Sequence, residues 1–186
     1  EKKVDPAAAA ALLKKRIAKC DKEGGKKAQD LAGMRDLGGV SYFHVSIDEP
    51  QGDWEMLQVC MDGMNAPCPE DADERRGGAE DIGKVLMSFK DEYLALYMHV
   101  PANLKECNID EWFAACTEGY KVQRLEAPEF YIKAQINADP DNNVFPIKVK
   151  DECINNGYKF LVSKALVRPD DEDDDEICFG DDDFMM

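Results

Sequence analysis

Residues 84–100, KVLMSFKDEYLALYMHV, decide the fold of this chain. Apolar residues alternate with other residues on both sides of Lys90-Asp91-Glu92, which is the pattern of two strands joined by a short turn. One face of this β-hairpin is predicted to lie on an apolar core. The residues predicted on that face are Val85, Met87, Phe89, Leu94, Leu96, Met98 and Val100.

Segments on either side of the hairpin complete a regular order of elements. They are, in chain order, a strand at residues 41–47, a helix at 53–65 capped by Asp53, the hairpin, a helix at 109–117 capped by Asn108, a strand at 129–136 and a helix at 146–166. The order β-α-β-β-α-β predicts an α+β fold with a ferredoxin-like split sheet and an extra C-terminal helix. In that topology the first and third strands are neighbours, so His44 and His99 are expected to lie close together.

The two faces of the predicted sheet differ in character. The outward face is expected to present Tyr42, His44, Ser46, Leu86, Ser88, Tyr93, Tyr97, His99, Tyr131, Lys133 and Gln135. We expect the N-terminal or the C-terminal helix to cover this face. A protein partner is the next interpretation, and RNA stacked on the aromatic side chains is the third.

Three parts are predicted along the chain. Residues 1–40 form an N-terminal helix, at 5–19, followed by a glycine-rich linker; residues 41–168 form the α+β domain; residues 169–186 form an acidic tail. Gly24 and Gly25 are expected to end the N-terminal helix, because glycine disfavours helix interiors.

Charge is distributed very unevenly in this chain of 186 residues with a net charge of −16. Residues 1–27 hold nine Lys or Arg and four Asp or Glu, which makes them basic, whereas residues 170–186 hold ten carboxylates and no base. The large negative charge opposes binding to phosphate backbones and to anionic lipid surfaces. Nucleic acid is therefore an unlikely partner.

No motif in the sequence names a reaction. There is no GxSxG, Walker, HExxH or dinucleotide-binding pattern. The seven cysteines are odd in number and lack CxxC spacing, so we expect reduced thiols, with a Cys60–Cys68 bridge left open. We predict no enzyme activity, no cofactor and no metal site, and structural roles for His44 and His99.

The two ends of the chain carry the predicted binding residues. An acidic segment with apolar anchors can wrap a basic protein surface. The predicted partner-binding residues are Phe179, Asp181, Asp182, Asp183, Phe184, Met185 and Met186 in the tail, and Lys14, Lys15 and Arg16 in the basic helix. The expected partners are protein subunits of a larger complex, with a basic surface meeting the tail.

Residues 84–117, with the hairpin, the Val-Pro-x-x-Leu step at 100–104 and the following helix, resemble part of the C-terminal DHHA1-type domain of alanyl-tRNA synthetases. The resemblance implies a related fold and, as an alternative function, a tRNA- or RNA-handling module. The segment YKVQRLEAPEF at residues 120–130 lacks that family's glycine-rich stretch with Arg-Pro. No functional residue is carried over for this reason.

The first functional hypothesis is a non-catalytic accessory subunit that docks peripherally on a larger assembly through its terminal extensions. The chain starts at Glu1 without Met, which fits removal of an organellar transit peptide. We expect a photosynthetic or respiratory membrane complex, such as a photosystem, on the plastid stroma side rather than in the mitochondrion, with the cytoplasm as a further alternative. No apolar run approaches the ~20 residues of a spanning helix, so no direct membrane span is expected.

Overall fold

The computed structural model describes residues 6–68, 74–125 and 128–169. Its helices are α1 (Pro6–Gly38), α2 (Trp54–Asn65), α3 (Ile109–Cys116) and α4 (Pro146–Ser163), and its strands are β1 (Tyr42–Ser46), β2 (Gly83–Lys90), β3 (Tyr93–His99), β4 (Val122–Leu125) and β5 (Tyr131–Asn137). The strands form one mixed five-stranded sheet. The predicted α+β class is confirmed.

Local sequence signals place α2 and α3 as predicted. The Asp53 side chain accepts hydrogen bonds from the backbone N–H groups at the start of α2, and Asn108 does the same for α3. Each cap satisfies donors that the first turn of a helix leaves without a partner. Both helices therefore begin where the sequence predicts.

The strand order differs from that of the predicted split sheet. The order is β1-β2-β3-β5-β4, in which β1 and β2 run parallel and the other neighbouring pairs are antiparallel. β1, α2 and β2 thus form a βαβ unit, and β2 separates β1 from β3. The expected pairing of the first and third strands is wrong, because the parallel β1–β2 pairing takes that place.

The sheet is covered on both faces. On one face, α3 and α4 pack on the inward residues predicted for the hairpin, together with Ile132, Ala134 and Ile136 of β5. On the other face, α2 and the C-terminal half of α1 cover Leu86, Tyr97 and their neighbours. The predicted outward face is thus covered, but α2 packs on its strands directly, whereas α1 packs mainly on α2 and adds Cys20, Ala28 and Leu31 to the same core. The C-terminal helix α4 packs on the opposite face.

The predicted facing of β1 is wrong. Tyr42↔Gly83, His44↔Val85 and Ser46↔Met87 are paired positions, and paired positions in a sheet point to the same face. Tyr42 and His44 therefore lie on the α3–α4 side, where Tyr42 joins the core that contains Val85. His99 faces the α1–α2 side, so the two histidines lie on opposite faces of the sheet.

α1 does not end at Gly24–Gly25, and the predicted linker at residues 26–40 is helical up to Gly38. Both glycines are buried, Gly24 against α2 and Gly25 against Arg76 of the loop after α2. A Cβ on Gly24 would overlap the carbonyl oxygen of Cys60, and a Cβ on Gly63 would lie 2.8 Å from the carbonyl oxygen of Asp21. The glycines thus permit a close helix contact, and its packing outweighs their weak helix propensity.

Candidate docking surface

The first half of α1 projects from the packed body. Among residues 7–19, which we call the arm, Arg16 is partly buried and the other side chains are exposed. Burial begins at Cys20 and continues at Gly24, Ala28 and Leu31. At a rise of 1.5 Å per residue, the arm is about 20 Å long.

The arm carries large apolar side chains in exposed positions. Leu12 is 67% exposed, Leu13 48% and Ile17 38%. Leu13 and Ile17 are four residues apart and lie on one side of the helix. Since short helices in proteins are stabilised mainly by packing an apolar face, this stripe is typical of a helix that packs on another protein.

Arg16 fastens the arm to the body. Its Nη1 donates to Asp53 Oδ2 at 2.8 Å, and its Nη2 donates to the carbonyl oxygen of Pro50 at 2.8 Å. Asp53 also caps α2, so one carboxylate fixes two helices. Of the three bases predicted to bind a partner, Lys14 and Lys15 are exposed, whereas Arg16 already makes this internal contact. Partner binding by these three residues stays a prediction.

A groove runs beside the arm. One part, with a volume of about 590 Å³, is lined by Leu12, Leu13, Lys15, Arg16, Lys19, Glu49 and Gln51. A second part, of about 430 Å³, shares Arg16 and Gln51 and adds Asp53, Trp54, Lys90 and Tyr93. We call the two parts together the arm groove. The sequence does not signal it, because its walls come from α1, the β1–α2 loop, α2 and the hairpin.

The floor of the arm groove is a tight turn at residues 50–52. Gln51 has a φ of 50° and Gly52 a φ of 76°, both in the left-handed region. The turn is held by the Tyr93 hydroxyl, which donates to the Gly52 carbonyl at 2.7 Å, and by Ser88 Oγ, which accepts from the Gly52 N–H at 3.0 Å. These bonds place the Tyr93 ring at the groove.

The arm groove is basic in an acidic protein. Its four bases, Lys15, Arg16, Lys19 and Lys90, outnumber its two acids, Glu49 and Asp53. Asp53 is paired with Arg16 at 2.8 Å and Glu49 with Lys19 at 3.8 Å, and Lys90 is paired at 3.5 Å with Glu92, which does not line the groove. Lys15 forms no ion pair with any described residue. The groove therefore presents positive charge between apolar and aromatic walls, which fits an acidic segment that carries apolar side chains.

His99 belongs to a buried polar cluster at the open end of the hairpin, where Lys84 pairs with His99. The arm groove lies at the other end, at the hairpin turn. Lys84 is fully buried, and its Nζ donates to the carbonyl oxygens of Ala79 (2.6 Å) and Ile82 (3.1 Å) and lies 3.2 Å from His99 Nδ1. Burial lowers the pKa of Lys84 to about 7, and burial together with the Lys84 charge lowers the pKa of His99 to about 3. The three acceptors match the three protons of an ammonium group, so the cluster fastens the turn at residues 79–82.

His44 lies against Cys116 under α4. The Cys116 Sγ is 3.8 Å from His44 Nε2, and the Trp112 ring meets the imidazole edge-on at 5.4 Å. Burial raises the pKa of the Cys116 thiol and lowers the pKa of His44 to about 4. The pair is packed in the α3–α4 core, where burial favours the protonated thiol, a poor nucleophile. The structural roles of His44 and His99 stay a prediction.

The aromatic face that could have stacked RNA bases is covered. Tyr97 is 1% exposed, and its hydroxyl donates to Gln58 of α2 at 2.9 Å. His99 is buried and stacks on Tyr131 with ring centroids 4.3 Å apart. These rings are used in internal packing, and the face does not offer a stacking platform.

Five of the cysteines predicted to be reduced are placed clearly by the structure. Cys20, Cys60, Cys107, Cys116 and Cys153 are free thiols, and the Cys60 thiol donates to the Cys20 carbonyl at 3.1 Å, so the Cys60–Cys68 bridge is not formed.

Within residues 6–68, 74–125 and 128–169, no group of three or more His, Cys, Asp or Glu side chains is placed to hold a metal ion. No helix in those ranges has the length and apolarity to cross a membrane.

The predicted binding residues of the tail, Phe179, Asp181–Asp183 and Phe184–Met186, lie outside the described residues. No protein-family model matches this chain, and no curated protein is significantly similar to it. The resemblance of residues 84–117 to the DHHA1-type domain stays a prediction.

Proposed function

We propose that this chain is a non-catalytic docking protein that holds a protein partner through the arm and acts as a peripheral accessory subunit of a larger assembly. The observation that carries the proposal is the exposure of Leu12, Leu13 and Ile17 on a helix that buries one face from Cys20 onward. A partner that packs on this stripe removes apolar surface from water, at ~25 cal/mol per Å².

Charge supports the same proposal. Lys14 and Lys15 flank the stripe and are exposed, so a partner groove with apolar pockets and acidic rims fits the arm. Such complementary charges accelerate association and align the partner, while the apolar anchors supply most of the affinity.

Purification of the full chain from its native source, through a tag, tests the proposal. The double variant Leu13→Gln/Ile17→Gln should lose its copurifying subunits by at least ten-fold, since each anchor side chain contributes on the order of 1–2 kcal/mol. Its Tm should stay within about 2 °C of the parent, because neither side chain is packed in the core of the described residues.

Leu37→Gln is the matched control. Leu37 is 93% exposed at the opposite end of the same helix, so this variant should keep the copurifying subunits. Equal retention of subunits by the arm variant and the control would overturn the proposal. The subunits that depend on the arm identify the assembly and its compartment.

A further inference from the structure

The arm groove has a candidate occupant within the chain itself. We infer that it binds residues 177–186 of the same molecule, ICFGDDDFMM, so that the free protein keeps its docking surface covered by its own C-terminal segment. This goes beyond the proposed function, since it requires the groove and no second protein. A partner with a basic surface would compete for the segment, and its release would expose the arm.

The order of chemical groups in the segment matches the order along the groove. Apolar residues 177–179 precede Asp181–Asp183, and apolar residues 184–186 follow. In the groove, Leu12 and Leu13 lie at one end, Trp54 and Tyr93 lie at the other, and Arg16 belongs to both parts. In this arrangement Asp181–Asp183 lie beside the bases in the middle of the groove, and the apolar residues on either side of them lie on the apolar residues at its two ends.

Charge directs the segment to this surface. Residues 1–27 carry +5 and residues 170–186 carry −10, so residues 28–169 carry −11, from −16 − 5 + 10. The body therefore repels the segment over most of its surface, and the basic arm attracts it. At low ionic strength this attraction acts over a Debye length of ~10–30 Å.

The chain is long enough to reach the groove. The described residues end at Pro169, six residues after α4, and the Tyr158 hydroxyl donates to the Arg168 carbonyl at 3.3 Å. Val167 lines a cleft with Val40 and Tyr42 at the start of β1, and Tyr42 is paired with Gly83 at the start of β2.

Lys90, at the groove, is the last residue of β2. Seven residue steps separate Gly83 from Lys90, which is about 23 Å along a strand. Residues 170–176 are seven in number and span at most about 25 Å when extended. Asp181 lies twelve residue steps after Pro169, which is up to about 40 Å of extended chain, so Asp181–Asp183 reach the groove even with the added path around the edge strand β1.

Zero-length carbodiimide cross-linking of the full chain tests the inference. The reagent joins a carboxylate to a lysine amine that it touches. An equal mixture of ¹⁴N- and ¹⁵N-labelled chains at low salt should give amide links from Asp181–Asp183 to Lys15, Lys19 and Lys90, within chains of one label. These links should fall at least ten-fold in 0.5 M NaCl, because salt screens the attraction.

Two variants sharpen the experiment. Lys15→Glu/Lys19→Glu should abolish the remaining links to Lys90 and raise the quenching of Trp54 fluorescence by acrylamide, while Trp112, which is fully buried, contributes a constant background. Lys121→Glu is the control, since Lys121 is exposed and does not line the groove; it should leave both readouts unchanged.

Links between chains of different labels would overturn binding in cis and show that a second copy fills the groove. Links spread over Lys105, Lys121 and Lys148 at similar yield would overturn the site itself. Neither result decides the proposed function, which the copurification of the Leu13→Gln/Ile17→Gln variant tests separately.

Discussion

Gly24 of α1 lies directly on the backbone of Cys60 in α2, so closely that any Cβ on Gly24 would overlap the Cys60 carbonyl oxygen. The contact is reciprocal one turn away, where Gly63 of α2 lies on Asp21 of α1. Two helices that touch backbone to backbone at two points have one arrangement, because neither can slide without a clash.

Gly24→Ala should destabilise the protein. The added methyl group has no space and forces the helices apart, which we expect to cost about 2–3 kcal/mol of unfolding free energy. Gly33→Ala is the control, since Gly33 lies in the same helix with nothing within 4 Å of its Cβ position. It should stabilise the protein by about 0.5–1 kcal/mol. Urea unfolding measures both, and equal effects would contradict the close contact.

Arg16→Met should loosen the arm without unfolding the body. Loss of the bonds to Asp53 and Pro50 should lower the unfolding free energy by about 1 kcal/mol, because the pair is partly exposed. Amide hydrogen exchange in residues 10–16 should rise at least five-fold. Lys19→Met is the control, since its 3.8 Å ion pair with Glu49 is largely exposed, and it should change exchange less than two-fold. Unchanged exchange in the Arg16 variant would show that Arg16 does not hold the arm.

His99 should make the protein sensitive to acid. Its pKa is about 3 in the folded protein, against 6.5 for the free side chain, so the unfolded chain binds more protons between these values. Stability then falls as the pH drops from 6.5 towards 3, by up to about 1.4 kcal/mol per pH unit.

His99→Asn tests this dependence, because an amide oxygen can accept the Lys84 bond but does not titrate in this range. Urea unfolding at pH 6.5, 5.5 and 4.5 should give a smaller loss of stability for the variant than for the parent. The remaining loss of stability comes from carboxylates and from His44. The pKa of His44, lowered to about 4 by burial, acts in the same direction as that of His99. Identical losses in parent and variant would mean that His99 is protonated in the fold.

Thiols whose pKa is raised by burial should react more slowly with an alkylating reagent than the other thiols. Burial raises the pKa of Cys107 to about 11 and of Cys153 to about 12, and it raises the pKa of Cys20, Cys60 and Cys116 as well. These five should resist iodoacetamide at pH 8 in the folded protein, and all seven cysteines should be labelled after denaturation without reductant. Mass spectrometry counts the labels, and five labels or fewer after denaturation would reveal a disulfide.

Sequence patterns predicted the hairpin and α3 well, because both combine strong alternation or helical spacing with local turns and caps. β4 escaped prediction, since Val122–Leu125 is a four-residue edge strand whose Gln123 and Arg124 face solvent. The facing of β1 escaped because both of its faces are covered, and only its parallel register with β2 decides which side chains share a face.

The arm groove shows a further limit of local patterns. Arg16, Trp54 and Lys90 are each unremarkable in sequence, and only tertiary packing brings them together. The glycines of α1 show the same limit in another form, because Gly24 reads as a helix end until the backbone of α2 is known to lie against it.

The fixed crossing at Gly24 has a mechanical consequence for the arm. α1 is one continuous helix, so the backbone contact with α2 near its middle fixes the direction of its N-terminal arm. A molecule attached to the arm therefore takes a defined bearing relative to the sheet, and a pull on it is transmitted to α2 as torque rather than absorbed by a hinge.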